Sequence, residues 1–339
     1  MGINKLNQLL RSQCPWVFKE VNLSEFAYTM VSIDVSLYLC KYKCLGENWL
    51  ECFMNLILCL RKNDIHCVFI FDSGHPPEKI QEKEERTQAR EKLKLKIDAL
   101  ENGLVKYQES GGVMEAELND LYMKSGETGD KVRILRSIID KRKRALFNIT
   151  ADDWVQLKTL FDVMNVSYYY APLEAETMCA DLCKRGLVSA AISDDTDVLA
   201  YGSTVFLTKI DIYSNTGVKI QYQDILDGLK LTSEQFLDLC IMCGTDYNKN
   251  IPKIGCETAY KYISMYGSIE EIAKQKQLDV TILKHERNRE LFTQYDKFEF
   301  EGELKYNGHP DYEKLEAILP TVDTSRVRRS LKAKIEFVK

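Results

Sequence analysis

Residues 188–200 read VSAAISDDTDVLA, an apolar run that ends in the three acids Asp194, Asp195 and Asp197. The run has the length and composition of a buried strand, yet burying a carboxylate is unfavourable unless a partner compensates its charge. Because successive strand side chains point to opposite faces, Asp195 and Asp197 are predicted to share one side. Asp194 is predicted to point away and to serve as a turn or capping residue. The other two acids are predicted to face a cation.

Two earlier apolar runs also end in aspartates. MVSIDV (30–35) contains Asp34, and HCVFIFD (66–72) ends in Asp72. Strand patterns alternate with helix patterns such as residues 49–61, which predicts an α/β fold with a mixed, largely parallel central sheet flanked by helices. In such sheets ligands bind outside the carboxyl ends of the strands. The aspartates are therefore predicted to line one acidic pocket.

Glu174 and Glu176 follow a fourth predicted strand, at the start of a helix. A helix N-terminus favours one carboxylate there but does not explain two. Carboxylates clustered without His or Cys select Mg²⁺ or Mn²⁺. So many charges need about two such ions to stay ionised, and two ions about 4 Å apart are the arrangement used for phosphodiester hydrolysis.

The segment NIPKIGCETA (250–259) predicts a glycine-containing turn that opens a helix. Backbone N–H groups at such a turn can hold a phosphate. This signal is weak alone, since many helices begin in this way. Beside an acidic metal pocket, it favours a polynucleotide bound along its backbone.

Composition limits the class of protein. The chain has 339 residues and a net charge of −5, which is unusual for a nucleic-acid-binding protein. Its charge is unevenly spread, however, and seven basic residues fall within fourteen positions: Lys131, Arg133, Arg136, Lys141, Arg142, Lys143 and Arg144. The sequence contains no run of roughly 20 apolar residues and no signal-peptide pattern, so a soluble intracellular protein is expected, with no membrane partner.

The cysteines are predicted to be reduced. The count of eleven is odd, and most cysteines lie in apolar runs, where a free thiol behaves as a small hydrophobe. Cys240 and Cys243 form a CxxC without a second pair or a His cluster, so reduced core thiols are favoured over a zinc or redox site.

These motifs, taken in order, resemble the flap endonuclease family, the structure-specific 5′-nucleases that include exonuclease-1-like and Holliday-junction-type members. The resemblance covers nearly the whole chain and is weakest in residues 78–147. The matching segments are MGI (1–3), SIDVS (32–36), FIFDSGHPP (69–77), APLEAET (171–177), AISDDTDVLAYGS (191–203), LCIMCGTDYNKNIPKIGCETA (239–259) and DYEKLEAILPTVDTSRVRRSL (311–331).

The resemblance implies an organisation in five parts. A nuclease core formed by residues 1–77 and 148–224 carries an inserted helical arch at 78–147. A helix–hairpin–helix-like element at 225–290 grips duplex DNA, and residues 291–339 form C-terminal helices that pack on the core. The arch is longer than that of a minimal family member.

The resemblance also implies the ligands and catalytic groups. Two Mg²⁺ ions, replaceable by Mn²⁺, are expected, with K⁺ at the helix–hairpin–helix-like turn. Asp34, Asp72, Glu174 and Glu176 would form one metal cluster, and Asp195, Asp197 and Asp246 the other. Asp34 and Asp195 are expected to be catalytic. Lys79 and Arg86, seven residues apart and thus two helical turns apart, would contact the scissile phosphate, unless both are solvated helix charges.

Expected DNA contacts follow from the same resemblance. Gly2 would lie near the pocket, and Tyr38 or Tyr42 would either stack on a base or simply pack. The remaining expected contacts are Lys141, Arg142, Lys143 and Arg144 in the arch, and Lys253 and Gly255 at the turn. No sliding-clamp motif follows the C-terminal helices, and a monomer is expected.

The predicted function is therefore a divalent-metal-dependent 5′-nuclease that cuts DNA by a two-metal mechanism near single-strand/duplex junctions. Its partners would be DNAs with a 5′ flap, nick, gap or junction. A processive 5′-exonuclease or a junction resolvase on the same core remains open. A non-catalytic DNA-binding scaffold is the alternative from a different class.

Overall fold

The computed structural model describes residues 2–46, 48–110, 113–294, 304–305 and 307–331. Its strands are β1 (Lys19–Asn22), β2 (Met30–Asp34), β3 (His66–Phe71), β4 (Ser167–Tyr170), β5 (Ala190–Ile192), β6 (Val205–Asp211) and β7 (Thr216–Gln221). They form a seven-stranded sheet in the order β1-β7-β6-β5-β2-β3-β4. The five strands from β6 to β4 are mutually parallel, whereas β7 and β1 are antiparallel additions at one edge. The predicted mixed, largely parallel sheet is confirmed.

Helices surround the sheet. They are α1 (Leu6–Gln13), α2 (Val35–Lys43), α3 (Trp49–Lys62), α4 (Ile80–Ser110), α5 (Ala116–Ser125), α6 (Lys131–Lys143), α7 (Ala151–Val163), α8 (Ala175–Lys184), α9 (Asp197–Ala200), α10 (Tyr222–Leu229), α11 (Ser233–Cys243), α12 (Cys256–Tyr266), α13 (Ile269–Lys276), α14 (His285–Thr293), α15 (Tyr312–Ile318) and α16 (Thr324–Leu331). The thirteen residues of α7 begin with a capping box between Thr150 and Asp153.

The sheet separates two apolar cores because its side chains alternate between faces. In β3, Val68 and Ile70 join the core beneath α1, α8 and α10–α14, whereas Phe69 and Phe71 join the core beneath α2, α3, α7, α15 and α16. All six residues of β3 are buried. Such two-sided burial explains why the parallel strands read as continuous apolar runs.

One strand is shorter than predicted, and this changes the argument for the acids that follow it. The apolar pattern predicts a strand that continues through 188–195, but β5 ends at Ile192. Asp195 lies in a loop, and Asp197 is the first residue of α9. Alternation along a strand therefore does not place Asp195 and Asp197 on one side, and that reasoning was wrong.

The inserted arch consists of α4, α5 and α6. Helix α4 is 31 residues long. The three helices bury a small apolar cluster of their own, formed by Ile97, Leu100, Leu104, Leu118, Leu135 and Ile139. The three arch helices therefore pack against one another around an apolar cluster that is separate from the two cores of the sheet.

The C-terminal part of the chain completes the start of β3. The Asn307 side chain accepts from the Cys67 N–H and donates to the Cys67 carbonyl, both at 2.8 Å. The Asn307 N–H donates to His66 Nδ1 at 3.0 Å. A side-chain amide thus takes the place of a neighbouring strand. Residues 295–303, 306 and 332–339, within the predicted C-terminal helices, lie outside the described residues.

Arg289 of α14 joins three helices of the candidate duplex-binding region. Its guanidinium donates two hydrogen bonds of 2.7 Å to buried Asp238 and also pairs with Glu270. The Asp238 carboxylate in turn accepts from the Ile269 N–H. Breaking such a buried pair leaves an uncompensated charge, so these contacts fix how α11, α13 and α14 pack.

None of the helices in the described part of the chain combines the length and the apolar character that crossing a bilayer requires.

Candidate metal centre

Three buried carboxylates converge beyond the carboxyl end of the sheet. One ligand oxygen from each of Glu176, Asp195 and Asp197 lies within 4.8 Å of the others. Their exposed fractions are only 7%, 5% and 1%. Within the described ranges, this is the one group of three such side chains with metal-binding spacing. Glu176 thus lies with Asp195 and Asp197, although the resemblance assigns it to the other cluster.

The loop after β5 delivers its acids by local hydrogen bonds. The Asp195 N–H donates to Ser193 Oγ at 3.1 Å, and the Asp195 carboxylate accepts from the Asp197 N–H at 3.0 Å. This tight turn leads into α9, and Asp197, the first residue of that helix, faces back toward Asp195. The turn, rather than strand alternation, brings the two carboxylates together.

Asp194 leaves the cluster, as predicted, but it does not cap a helix. Its carboxylate accepts from the Thr208 hydroxyl at 2.8 Å and the Lys209 N–H at 2.9 Å, and it pairs with Lys41 at 2.7 Å. Burial alone would raise the pKa of Asp194, but these three partners hold it below its ordinary value. Asp194 ties the loop to β6 as an ionised structural residue.

Asp34 and Asp72 border the same pocket. Asp34 ends β2 and accepts from the Leu37 N–H at 3.2 Å, so it also caps α2. Asp72 follows β3, accepts from the Ala175 N–H at 2.7 Å and receives the Ser36 hydroxyl. Asp34 is buried and Asp72 is exposed. Backbone donors therefore orient both carboxylates toward the end of the sheet.

Glu174 is held by a tyrosine relay. Tyr247 donates its hydroxyl to Glu174 Oε2 at 2.5 Å, and Tyr201 hydrogen-bonds to Tyr247. Burial and the nearby carboxylates raise the pKa of Tyr247, so the phenol keeps its proton and remains a donor. No motif in the sequence predicts this relay. The one available signal was that Tyr247 directly follows Asp246 in the sequence.

Lys79 and Arg86 bring positive charge to the acids. Lys79 lies in the single turn Pro77–Lys79 before α4, and its Nζ contacts Glu174, Asp246 at 3.0 Å and Glu176 at 3.8 Å. The Arg86 guanidinium lies 3.3 Å from the Asp246 carboxylate. Burial opposes the charge on Lys79, but Glu176, Glu174 and Asp246 outweigh it and raise its pKa. Lys79 is thus not a solvated helix charge, whereas the Arg86 side chain is 50% exposed and also pairs with Glu82 of its own helix.

The electrostatics of the pocket favour protonated acids unless cations enter. Burial and the neighbouring Asp72 raise the pKa of Asp34 to about 8. Burial also raises the pKa of Asp195, and it raises the pKa values of Glu176 and Asp197 well above the ordinary range. A cluster that cannot remain ionised alone is suited to binding positive charge.

The donor set fits a hard divalent cation. Carboxylate oxygens without His or Cys are the ligands of Mg²⁺ and Mn²⁺. In the described structure, Asp197 Oδ1 is buried without a hydrogen-bond partner, and Glu176 Oε1 has only the ion pair with Lys79. Buried polar atoms are rarely left in this state, so these two oxygens are available to an ion.

Gly2 lies directly against the acidic loop. Its φ is +84°, and a Cβ added there would collide with the Asp195 carboxylate and lie 2.8 Å from the Asp197 nitrogen. The chain therefore has room at this point for glycine alone. The structure places Gly2 beside the pocket.

The two candidate stacking tyrosines pack into the core. Tyr38 is only 1% exposed, and its ring lies 5.6 Å from that of Tyr42. Tyr42 in turn makes an edge contact with Phe53 at 4.9 Å. Of the two expectations for Tyr38, base stacking or packing, its burial favours packing.

Basic side chains line an open groove on the arch. Lys141, Arg142, Lys143 and Arg144 are all exposed, but only Lys141 and Arg144 of these four line the groove, and Lys143 pairs with Glu101. The groove has a volume of about 650 Å³. Its charged lining comprises Asp130, Arg133, Arg136, Asp140, Lys141 and Arg144. Four cations against two acids give this surface a net positive charge.

The second basic element is the turn between α11 and α12. Lys253 has a φ of +68° and is exposed, and exposed Gly255 precedes the first residue of α12. A Cβ added to Gly255 would meet nothing within 4 Å. The turn therefore presents backbone and one cation to solvent, as a phosphate-binding turn requires.

Comparison with known proteins gives consistent matches. The XPG N-terminal domain matches residues 1–93, and the XPG I-region matches residues 165–246. A probable RAD2-like endonuclease of Invertebrate iridescent virus 3 is 33% identical, covering 91% of this chain and 90% of that protein. Flap endonuclease 1 of Lodderomyces elongisporus is 30% identical over 93% of this chain and 81% of its own length.

Solved structures share the fold. The catalytic core of Rad2 in complex with a DNA substrate superposes with a TM-score of 0.66 at 18% identity, covering 98% of this chain and 100% of that one. Flap endonuclease-1 from Methanococcus jannaschii gives a TM-score of 0.60 at 18% identity, covering 93% of this chain and 95% of that one. At 18% identity, this structural similarity establishes that the chain shares the fold of these two proteins.

Proposed function

This chain belongs to the family of XPG-type, RAD2-like nucleases, and on that premise we propose that it is a structure-specific, divalent-metal-dependent 5′-nuclease. It hydrolyses DNA phosphodiester bonds near junctions of single strand and duplex, with 5′ flaps as the first candidate. The observation that carries the proposal is the trio of buried carboxylates Glu176, Asp195 and Asp197 within 4.8 Å of one another. The reaction class follows from the family, and the trio indicates where it takes place.

Metal ions account for the chemistry that side chains alone do not supply. Two Mg²⁺ ions, with Mn²⁺ as a substitute, would activate water and stabilise charge on the attacking and leaving oxygens. Their proposed ligands are the seven carboxylates of the pocket: Asp34, Asp72, Glu174, Glu176, Asp195, Asp197 and Asp246.

The residues around the pocket have distinct proposed roles. Tyr247 holds Glu174 by a hydrogen bond of 2.5 Å, and the Ala175 N–H holds Asp72 at 2.7 Å. Lys79 and Arg86 already lie beside Asp246, so both can neutralise a phosphate that enters the same space. Lys79 would exchange its carboxylate partners for phosphate oxygens.

The DNA is proposed to contact three surfaces. The arch groove, with Lys141 and Arg144, offers electrostatic contacts to a single strand, and the turn with Lys253 and Gly255 offers them to a duplex, with K⁺ proposed there. The scissile phosphate would lie between them at the carboxylates. This arrangement supports a substrate in which single strand and duplex meet.

The direct experiment is cleavage of labelled flap, nick, gap, hairpin and four-way-junction DNAs in Mg²⁺. We expect cutting that depends on the metal and releases short oligonucleotides from the flap. Release of mononucleotides alone would favour a processive exonuclease, and preference for the four-way junction would favour a resolvase. DNA binding without cutting of any substrate, in Mg²⁺ or Mn²⁺, would leave only the scaffold.

Neighbouring aspartates provide a matched pair of variants. Asp195→Asn should abolish cutting while preserving folding and DNA binding, because the change also relieves repulsion in the pocket. Asp194→Asn removes the same charge one residue away, where the carboxylate pairs with Lys41, and should retain cutting. Normal cutting by Asp195→Asn would contradict the proposed ligand set.

A further inference from the structure

Two buried thiols face each other across the turn between α11 and α12. Cys243 is the last residue of α11, and Cys256 is the first of α12. Their sulfur atoms lie 2.7 Å apart, and the residues are 2% and 5% exposed. Non-bonded heavy atoms attract best at roughly 3.5–4.0 Å, so this pair is closer than ordinary packing requires.

We infer that Cys243 and Cys256 form a reversible disulfide, with a small-molecule disulfide as the oxidant. The inference goes beyond the proposed nuclease function and does not depend on it. It also replaces the CxxC pair as the place to look for redox chemistry, because the close partner of Cys243 is Cys256 on the next helix and not Cys240.

A thiolate metal site does not explain these cysteines. Within the described ranges, only Glu176, Asp195 and Asp197 bring three ligand atoms of this kind within 4.8 Å of one another. Cys240, Cys243 and Cys256 therefore lack even three converging sulfur atoms, and structural zinc needs four ligands. Two facing thiols without a further ligand are suited to a covalent bond instead.

An entry path leads to Cys256. A surface cavity of about 160 Å³ between α1 and α12 is lined by Lys5, Gln8, Leu9, Gly255, Cys256, Glu257 and Thr258. Lys5 offers a cation to an anionic reagent such as oxidised glutathione. Cys243 does not line this cavity, so a reagent that enters it meets Cys256 first. Cys256 is therefore the first thiol to react.

The reaction balances as two thiol–disulfide exchanges. The Cys256 sulfur attacks one sulfur of the small disulfide, whose S–S bond breaks and releases one thiol. The Cys243 sulfur then attacks the Cys256 sulfur of the mixed disulfide and releases the second thiol. The two protein thiols are oxidised, the small disulfide is reduced, and both protons leave on the released thiols.

The bond would close a loop that already has internal order. Thr245 and Asn248 pair through their backbones, and the Asn248 side chain donates to the Ile241 carbonyl at 2.8 Å. Asp246, Lys253 and Gly255 all lie within this loop. A covalent link at its base restricts the unfolded chain and steadies the turn.

Peptide mapping of the full-length protein tests the assignment. The protein is incubated with oxidised or reduced glutathione, its free thiols are alkylated under denaturing conditions, and the digest is analysed by mass spectrometry. We expect a Cys243–Cys256 cross-link, a melting temperature higher by roughly several degrees and slower amide exchange over 244–255, all reversed by dithiothreitol. A Cys240–Cys243 link, glutathione retained on Cys256, or unchanged thiols would each overturn the inference.

Variants separate this bond from general oxidation. Cys256→Ala should lose both the cross-link and the gain in melting temperature, whereas Cys240→Ala should keep both. Equal gains in the two variants would show that other cysteines are responsible. Should Cys256→Ala fail to fold, the cross-link map of the unmodified protein decides alone.

Discussion

At the scale of single residues, Asp194 and Asp195 show how neighbours in sequence acquire opposite properties. Asp194 has three hydrogen-bonding partners that keep it ionised, whereas burial raises the pKa of Asp195. Side-chain alternation along a strand predicted that the two would separate, and they do, although β5 ends before both of them. It did not reveal the partners of Asp194, since Thr208 and Lys209 lie on β6 and meet the loop only in the folded sheet.

Gly2 is the residue whose replacement most directly tests the acidic loop. Gly2→Ala should lower the cleavage rate roughly 100-fold, because a Cβ displaces the Asp195 carboxylate by about an ångström. Single-turnover cleavage with Mg²⁺ measures the effect. Gly186→Ala is the matched control, since Gly186 also has a positive φ, of +70°, but its Cβ would meet nothing within 4 Å. Equal losses in both variants would indicate backbone strain rather than displacement of the carboxylate.

His66 makes stability depend on pH. Burial and Arg61 lower the pKa of His66 to about 4, below the value of 6.5 for an unperturbed histidine. The unfolded chain therefore binds more protons between these values, and stability is lost as pH falls from 6.5 toward 4, by about 3 kcal/mol from this group. His66→Asn retains an acceptor for the Asn307 N–H and should lack this loss. Urea denaturation across the pH range measures it, and parallel profiles for the two proteins would contradict the assignment.

At the scale of elements, the base of the arch couples α4 to the carboxylates. Lys79→Ala should reduce turnover by roughly 100- to 1,000-fold with little change in duplex affinity, because Lys79 contacts the acids and not an exposed surface. Arg86→Ala should act in the same direction. Lys83→Ala, on the exposed face of α4, serves as the control for removal of a positive charge. Quench-flow cleavage and a binding titration separate the two effects, and a loss confined to affinity would assign Lys79 to DNA binding rather than to the chemical step.

The elements also show where sequence patterns stop being informative. The apolar runs predicted β2 and β3, because parallel strands that are buried on both faces consist of nearly uninterrupted apolar residues. The acids at the ends of these runs were predicted to lie at the carboxyl end of the sheet. The end of β5 was missed by three residues, since Asp194 leaves the strand to accept from Thr208 and Lys209 of β6, and no local pattern encodes those contacts. Tyr247 and Ser36 were missed for the same reason: each contacts an acid from another element.

At the scale of the whole molecule, the acidic pocket sets a second pH dependence, opposite in sign to that of His66. Acids with raised pKa values, such as Asp34 at about 8, bind more protons in the folded than in the unfolded chain. Without metal, their contribution to stability is therefore lost as pH rises toward 8. Mg²⁺ should reverse this loss and raise the melting temperature by a few degrees, about 2.7 kcal/mol at 100 times its dissociation constant.

Calorimetry with EDTA and with Mg²⁺ measures this linkage. Asp197→Asn should be at least as stable as the unmodified protein in EDTA and should respond less to Mg²⁺. Asp194→Asn should retain the full response, since that residue pairs with Lys41 outside the cluster. An equal response to Mg²⁺ in all three proteins would place the ion elsewhere.

The amide of Asn307 has a consequence for the way the chain is made. It completes the start of β3 by bonding to Cys67 across 240 positions of sequence. At about 5–20 residues per second, a ribosome needs roughly 10–50 seconds to add the intervening chain. Throughout that interval the N–H and C=O groups of Cys67, at the start of β3 where β4 does not reach, form a short unpaired edge. We expect such an edge to attract chaperones, and a truncation before residue 307 to aggregate during synthesis rather than to lose only its C-terminal helices.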